Sequence, residues 1–325
     1  MAYETTSEST EALLVTGGVG TGKTQRLVER AAALLAENAA AGNVLVLCAT
    51  PQAARLFSER LTARVGAKRA AGATVATARA LALDVLADDG AGLHFASALR
   101  EEGVDISRVR VMHGVSARNY IELDEAGDRH FVGNNGRETA QYQALLCLTP
   151  GDYAMMEQYD LAHTSIHSWL DAYHPAISRR VPLSLDFSGE YDRVNIAQLC
   201  PLLRFAFFSG GAASEEEVRA LARTALDAGA RTVVVTMGVR GSYLLEQGRE
   251  HRQECVRADV VDALGAGDAF IAAFLAEYHA GGGDLADAAQ KASVFAAQCC
   301  GHYGAFGHAM PHPDRCAGEQ ADLCL

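Results

Sequence analysis

The stretch that decides the fold is Val261–Phe270, VDALGAGDAF, in which a glycine loop opens directly onto an apolar helix. The small residues Gly265, Ala266 and Gly267 let backbone N–H groups point at one anion, and the positive end of the helix dipole reinforces such a site. Asp268 falls in the first helical turn, where its carboxylate can accept a proton from an attacking hydroxyl. The stretch therefore predicts a phosphoryl-transfer site. Its purely structural interpretation is a glycine turn with an aspartate at the helix start.

Upstream of this loop, apolar strands alternate with helical patterns. Such alternation is typical of a parallel, doubly wound α/β sheet. The pattern predicts strands near 161–166, 183–187, 205–209 and 232–237, helices near 151–158, 195–200 and 214–228, a hairpin from 242–245 and 253–257, and helices over 266–280 and 284–299.

The first third of the chain carries a second phosphate motif. Gly17–Thr24, GGVGTGKT, satisfies G-x-x-x-x-G-K-[ST] between a predicted strand over 13–16 and a predicted helix from Lys23. Gly17 and Gly22 allow the loop to wrap a triphosphate, Lys23 would neutralise the outer phosphates, and Thr24 would ligate Mg²⁺. A second apolar strand over 43–49 completes the predicted βαβ unit. The sequence therefore predicts binding of ATP and Mg²⁺.

The residues after this unit predict helices over 52–65, 78–87 and 93–102, a short strand near 74–76 and another over 109–111. The sequence Leu123–Asp128, LDEAGD, then resembles the D-E-A-Q-D metal-binding motif of DNA helicases. The preceding residues alternate polar and apolar, and a further strand pattern follows over 129–132, which favours a solvated β-hairpin turn instead.

Composition narrows the function classes. The chain has 325 residues, 49% of them apolar, and a formal net charge of −12, which argues against whole-chain binding to nucleic acid or to an anionic membrane. No apolar run is long enough for a membrane helix, the polar start is unlike a signal peptide, and the chain is predicted to be cytoplasmic. Eight cysteines without a C-x-x-C pair predict reduced thiols. His302, His308 and His312 are interpreted as surface histidines, so no metal site is predicted from them.

The loop VDALGAGDAF resembles the D-T-x-G-A-G-D signature of the ribokinase-like (PfkB) carbohydrate kinases, and Leu185–Ser188, Val235–Ser242 and His302–Ala305 follow that family's order. The motifs most resemble those of the fructoselysine kinases. The resemblance covers about residues 88–310 and implies a ribokinase-like, doubly wound, mostly parallel α/β sheet with a small hairpin lid, preceded here by the P-loop βαβ segment. It also implies an ATP-dependent kinase that phosphorylates a sugar or sugar-amine hydroxyl.

Carried over by residue, the resemblance implies roles for the residues of this loop and of the strands before it. Ser293 and Ala296 are weaker candidates, because small side chains there also permit close helix packing. The implied roles are catalytic base for Asp268, anion hole for Gly265, Ala266 and Gly267, nucleotide binding for Thr236, Gly238 and Gly241, and adenine pocket for Ser293 and Ala296.

The chain also departs from the family. Ala263 stands where the signature has threonine, Ser209 stands at the asparagine position of the N-x-x-E sequence, and the run Glu215–Glu217 is typical of a helix N-terminus. The family's usual first strands, which grip the sugar, are replaced by residues that resemble the start of a UvrD-type superfamily 1 helicase, about 11–87. We therefore predict a helicase-like segment over 1–87, a kinase domain over 88–310 and a tail over 311–325.

Three functions remain open at this point. The first is an ATP-dependent sugar kinase, for which the sequence leaves open whether the replaced N-terminus impairs activity. The others are a P-loop ATPase or helicase N-terminal fragment, and an inactive chimera. A homo-oligomer is also left open.

Overall fold

The computed structural model describes residues 3–7, 10–14, 23–36, 44–48, 51–65, 73–77, 80–123, 129–191, 194–302, 304–305 and 307–308. Its helices are α1 (Lys23–Ala36), α2 (Pro51–Val65), α3 (Gly90–Glu101), α4 (Ala140–Gln143), α5 (Pro150–Met156), α6 (His174–Ser178), α7 (Ile196–Leu199), α8 (Glu215–Asp227), α9 (Ala266–Ala280) and α10 (Leu285–Cys299). Its strands are β1 (Tyr3–Ser7), β2 (Thr10–Leu14), β3 (Val44–Cys48), β4 (Ala73–Thr77), β5 (Val85–Ala87), β6 (Arg110–Met112), β7 (Asn119–Leu123), β8 (Arg129–Asn134), β9 (Ala162–Ser165), β10 (Leu183–Asp186), β11 (Phe205–Ser209), β12 (Thr232–Thr236), β13 (Ser242–Glu246) and β14 (Arg249–Gln253).

The chain divides into two compact units. One contains the elements up to residue 77 together with 80–82 and 96–108, and the other contains 83–95 and the described residues from 109 onward. In the first unit, β3 and β4 are parallel and α2 connects them, which makes a βαβ unit. The strand before the glycine loop differs from the prediction, because β2 covers Thr10–Leu14 and pairs with β1 in an antiparallel hairpin.

Helices α1 and α2 pack against each other in the first unit. Val28 and Leu35 on α1 contact the same apolar cluster as Phe57 and Leu61 on α2, and all four side chains are buried. These residues recur at helical spacing, so each helix directs one apolar face at the other.

The second unit contains a six-stranded sheet in the order β14-β13-β12-β11-β10-β9. Strands β9 to β12 are parallel, whereas β13 and β14 continue the sheet as an antiparallel hairpin. Side chains alternate between the two faces: Ala206 and Phe208 join the core that contains α8, and Phe205 and Phe207 join the core that contains α9 and α10. Helices thus cover both faces, and the predicted doubly wound, mostly parallel α/β class is confirmed.

The core beneath α9 centres on Phe274, whose side chain is 0% exposed and meets the rings of Phe205, Phe207 and Phe270. We expect Phe274→Ala to lower the free energy of unfolding by about 3–5 kcal/mol, because it removes buried apolar surface and leaves a cavity. Urea denaturation measures this loss. The matched control is Phe295→Ala on α10, where the ring is 51% exposed, and a similar loss there would contradict the assignment of the core.

Two predicted elements are wrong. Residues 80–84 are not helical and Val85–Ala87 form β5, paired in parallel with β6, so the predicted helix over 78–87 is absent from its described part. The second strand of the last hairpin is Arg249–Gln253 and not 253–257. The predicted hairpin is confirmed as β7 and β8, while Asp124–Asp128 lie outside the described residues.

Among the described helices, none combines the length and apolar character needed to cross a membrane.

Candidate active site

The glycine loop before α9 is held in one conformation by its own hydrogen bonds. The Asp262 carboxylate accepts from the Leu264 N–H at 2.9 Å and from the Gly304 N–H at 3.2 Å. Gly265 precedes the helix with φ 76°, and a Cβ there would lie 2.6 Å from the Cβ of Ala305, so this position requires glycine. N–H groups at the start of a helix have no acceptor one turn earlier in the helix, so they are donors that an anion can use. In this loop the Ala266 N–H donates to the Ala263 carbonyl oxygen at 3.3 Å.

Two cavities meet at this loop. An open cleft of about 820 Å³, here called the nucleotide cleft, is lined by Ala266, Gly267 and Phe270 on α9 and by residues of β12 and α10. A smaller cavity of about 320 Å³, here called the acceptor cavity, is lined by Asp268. Thr236 and Gly267 line both, so a group that enters from the cleft reaches the cavity beside the start of α9.

The predicted nucleotide residues come together in the nucleotide cleft. Thr236, Gly238 and Gly241 line it from the end of β12 and the turn that follows, and Ser293 and Ala296 line it from α10. Gly241 has φ 82°, and a Cβ there would lie 2.0 Å from the Gln253 carbonyl oxygen, so its glycine is required by close backbone approach. Their proximity agrees with a shared ligand, but binding of a nucleotide by these residues stays a prediction.

The acceptor cavity lies at the carboxyl ends of four adjacent parallel strands. Ser165 ends β9, Asp186 ends β10, Ser209 ends β11 and Thr236 ends β12, and all four line the cavity. Ligands of open α/β sheets bind at this edge. Ser165 and Asp186 are not among the predicted site residues, although a polar residue at the end of each apolar strand pattern is a usable signal.

Two further residues that line this cavity, His163 and Ser188, are not among the predicted site residues. His163 on β9 lines it, with Nδ1 3.0 Å from the Ser184 hydroxyl oxygen, and Ser188 lines it just after β10. Ser188 has φ 53°, uncommon for a residue with a side chain, and its N–H donates to the Asp186 carboxylate at 2.8 Å. This strained turn fixes the direction of the Asp186 side chain.

Desolvation shifts the pKa values of three groups in the acceptor cavity, although His163 and Asp268 remain partly open to solvent. Desolvation raises the pKa of Asp268 above its ordinary value. It also raises the pKa of Asp186, and the negative charge of Asp268 adds to that increase. Desolvation lowers the pKa of His163 to about 4, so its imidazole is neutral at physiological pH. The cavity thus offers two carboxylates whose pKa values are raised above that of a free aspartate, which is typical of groups placed for proton transfer.

The departures at Ser209 and Glu215–Glu217 have structural explanations. Ser209 lines the acceptor cavity, so its position at the site is kept although its side chain is shorter than asparagine. Glu217 completes a capping box, in which its carboxylate accepts from the Ser214 N–H at 2.7 Å. Glu215 lies 3.0 Å from Arg252. The glutamate run therefore serves as the start of α8, as its sequence indicates.

The other predicted phosphate residues are only partly described. Gly17 and Gly22 lie outside the described residues, and Lys23 and Thr24 begin α1.

His302 contacts the Cys299 carbonyl oxygen through Nδ1 at 2.7 Å, and His312 lies outside the described residues. Within the part of the chain that the structure describes, no three His, Cys, Asp or Glu side chains are grouped to hold a metal ion.

Two family models match different parts of the chain. The model of the pfkB family of carbohydrate kinases matches residues 203–312, which include the glycine loop and Asp268. The model of the UvrD/REP helicase N-terminal domain matches residues 2–130. The chain thus combines segments that resemble two different families.

Comparison with single proteins extends the kinase match toward the N-terminus. The chain is 37% identical to fructosamine kinase FrlD of Bacillus subtilis over 230 residues, which cover 71% of this chain and 80% of that kinase. It is 36% identical to fructoselysine 6-kinase of Escherichia coli, covering 67% of this chain and 82% of that enzyme. The structure of Arabidopsis thaliana ribokinase with ribose and ATP matches with a TM-score of 0.59 and 21% identity, over 71% of this chain and 78% of the ribokinase.

Proposed function

The chain belongs to the pfkB family of carbohydrate kinases, and we propose that it transfers the γ-phosphate of ATP to a hydroxyl of a sugar–amine adduct. One observation carries this proposal: the nucleotide cleft and the acceptor cavity meet at Gly267, and Asp268 lines the acceptor cavity directly beside that junction. The sugar–amine substrate class is taken from the fructosamine and fructoselysine kinases that the chain resembles.

In the proposed reaction, Asp268 acts as the base, and the glycine loop before it stabilises the transferring phosphoryl group. A sugar hydroxyl in the acceptor cavity gives its proton to the Asp268 carboxylate as its oxygen bonds to the γ-phosphorus, and the bond from that phosphorus to the leaving oxygen of ADP breaks. Backbone N–H groups at Gly265, Ala266 and Gly267 stabilise the negative charge on the transferring phosphoryl group. Preorganised donors and a positioned base are the main contributions a protein makes to this chemistry.

The acidic residues of the acceptor cavity are suitable ligands for Mg²⁺. The acceptor cavity contains the carboxylates of Asp186 and Asp268, and Mg²⁺ is commonly held by one or two carboxylates together with substrate phosphates and water. Asp186 is the carboxylate we propose to face the ion, since Asp268 has a role as base. Mg²⁺ supplies charge neutralisation on the phosphates when bound.

The raised pKa of Asp268 predicts the acid side of the pH profile. Because the base must be unprotonated, kcat/KM falls as the pH falls through the pKa of Asp268, and desolvation moves that fall above the value of about 3.9 for a free aspartate. Steady-state rates from pH 4 to 8 measure it. We expect the His163→Gln variant to show the same fall of kcat/KM at low pH. If the fall disappears in this variant, it is due to the histidine and not to Asp268.

Sugar-dependent release of ADP tests the proposed function. We expect the wild-type chain to release ADP with fructoselysine and to form a phosphorylated sugar detected by mass spectrometry. Turnover should be weak, because the helicase-like segment replaces in the sequence the first strands that hold the acceptor in this family, and a misplacement of the acceptor by about 1 Å can cost on the order of 100-fold. ADP release without any phosphorylated sugar would contradict the proposal and indicate an ATPase.

The helicase match at residues 2–130 favours a second candidate, ATP binding by the P-loop. We expect calorimetry to detect ATP·Mg²⁺ binding that Gly267→Val reduces, because the space beside Gly267 is open and valine would fill the position where the phosphate enters. Lys23→Ala is the matched change in the other motif. If Lys23→Ala abolishes ATP binding and Gly267→Val leaves it unchanged, the nucleotide binds at the P-loop and the kinase site is contradicted.

A further inference from the structure

The glycine loop before α9 is joined to the end of α10 by hydrogen bonds at two neighbouring residues. Cys299 is the last residue of α10, and it is 6% exposed. The carbonyl oxygen of Cys300, which follows it, accepts from the Val261 N–H at 2.8 Å and from the Asp262 N–H at 3.2 Å. These two backbone bonds hold the beginning of the loop, before its glycine turn.

The thiol of Cys299 contacts the glycine turn itself. Its Sγ lies 3.0 Å from the Ala305 carbonyl oxygen and 3.7 Å from the Leu264 carbonyl oxygen. Leu264 directly precedes Gly265, and Ala305 is the residue with which a Cβ at Gly265 would collide. One buried thiol therefore contacts both of the backbone segments that confine Gly265.

The Cys299 thiol is a hydrogen-bond donor at neutral pH. Burial raises the pKa of this thiol, and the negative charges of Cys300 and Asp268 add to the increase. A protonated thiol can donate, whereas a carbonyl oxygen can only accept. The proton is therefore directed at the Ala305 carbonyl oxygen, the nearer of its two acceptors.

The segment that contains Ala305 is held by a second group of the loop. The Asp262 carboxylate accepts from the Gly304 N–H at 3.2 Å, so the carboxylate holds an N–H of this segment and the Cys299 thiol holds a carbonyl group. His302 Nδ1 lies 2.7 Å from the Cys299 carbonyl oxygen, which joins the start of the same segment to the end of α10. The thiol thus belongs to a set of short-range contacts that fixes the loop.

We propose that Cys299 is a positioning residue for the proposed anion hole, because its thiol fixes the loop backbone beside Gly265 against Ala305. This inference rests on the proposed function and adds to it a residue that acts through the loop and not by contact with the substrates. Donors that are already in place stabilise a transition state best. Since a misplacement of about 1 Å can cost on the order of 100-fold, a weak hydrogen bond that sets the position of the loop has a large effect on the rate.

Substitution with and without a replacement donor tests the inference. We expect Cys299→Ala to lower kcat by about 10- to 100-fold with an unchanged KM for ATP, because the anion hole acts mainly in the transition state. Cys299→Ser keeps a hydrogen-bond donor and should turn over faster than Cys299→Ala. The matched control is Cys200→Ala, which removes a thiol that is 0% exposed from the core that contains α8, and it should lower stability without lowering kcat.

Amide hydrogen exchange followed by mass spectrometry supplies a second measurement on the full chain without substrates. We expect Cys299→Ala to speed exchange in peptides that cover residues 261–268, because the loop opens more often when the thiol no longer holds it. Exchange in these peptides should be slower in Cys299→Ser than in Cys299→Ala, and unchanged in Cys200→Ala. Exchange in Cys299→Ala equal to that of the wild type would overturn the inference.

The outcomes separate this inference from the proposed function. Equal losses of kcat in Cys299→Ala and Cys299→Ser would overturn the inference, since packing and not the proton would then matter. An unchanged kcat in Cys299→Ala would overturn the inference and leave the kinase function standing. A wild-type chain that phosphorylates no sugar would overturn the proposed function and with it the role in phosphoryl transfer, whereas the exchange measurement would still decide whether the thiol fixes the loop.

Discussion

Asp268→Asn is expected to lower kcat by about 10²- to 10⁴-fold while ATP affinity stays nearly unchanged. The carboxylate faces the acceptor cavity and is the group we propose to remove the hydroxyl proton, and general-base assistance has this magnitude. Asparagine keeps the shape of the side chain but cannot accept the proton at neutral pH. The loss should therefore be in kcat and not in nucleotide binding.

Coupled ADP-release assays with and without fructoselysine, together with calorimetry for ATP, measure both effects. Asp227→Asn, an exposed aspartate at the end of α8, is the matched control and should turn over like the wild type. Sugar-dependent turnover at full strength in Asp268→Asn would remove the residue from the proposed mechanism. A loss of ATP affinity as large as the loss of kcat would show that the substitution disturbs the glycine loop itself.

The glycine loop could be predicted from sequence because it is a local structure. The run Gly265–Asp268 contains its own turn, its own helix start and its own acid, so short-range chemistry is sufficient to identify it. The predicted nucleotide residues Thr236, Gly238 and Gly241 came from the family resemblance and not from a local signal of this kind. The acceptor cavity could not be assembled in this way, because His163, Asp186 and Ser209 come from three strands that only the sheet brings together.

The wrong elements have physical reasons as well. Residues 78–87 are rich in alanine and leucine, which favours a helix, but β5 instead pairs with β6, more than twenty residues away along the chain. In the last hairpin, Glu246 pairs with Arg249, so the turn contains only two residues and Gly248, with φ 77°, makes it tight enough. The predicted hairpin has a longer turn, so its second strand begins four residues later than the observed one.

Gly265→Ala is expected to reduce kcat/KM by about 10²- to 10³-fold. Its φ of 76° disfavours any residue with a Cβ, and the added atom would lie 2.6 Å from the Ala305 Cβ and 2.8 Å from the Ala305 Cα. Because Ala305 offers backbone and not the end of a flexible side chain, the loop must move. Moving it displaces the N–H donors of the proposed anion hole, and loss of one such donor has this cost in other enzymes.

Gly248→Ala separates the effect of the positive φ from the effect of the collision with Ala305. Gly248 has φ 77° but open space where a Cβ would be added. It carries the same backbone strain without the collision. We expect Gly248→Ala to lower the free energy of unfolding by about 1 kcal/mol, with unchanged kcat/KM, whereas Gly265→Ala loses both stability and activity. Thermal unfolding and steady-state kinetics on the two variants provide the comparison. Unchanged activity in Gly265→Ala would mean that phosphate is stabilised elsewhere than at the start of α9, and the proposed kinase site would have to be abandoned.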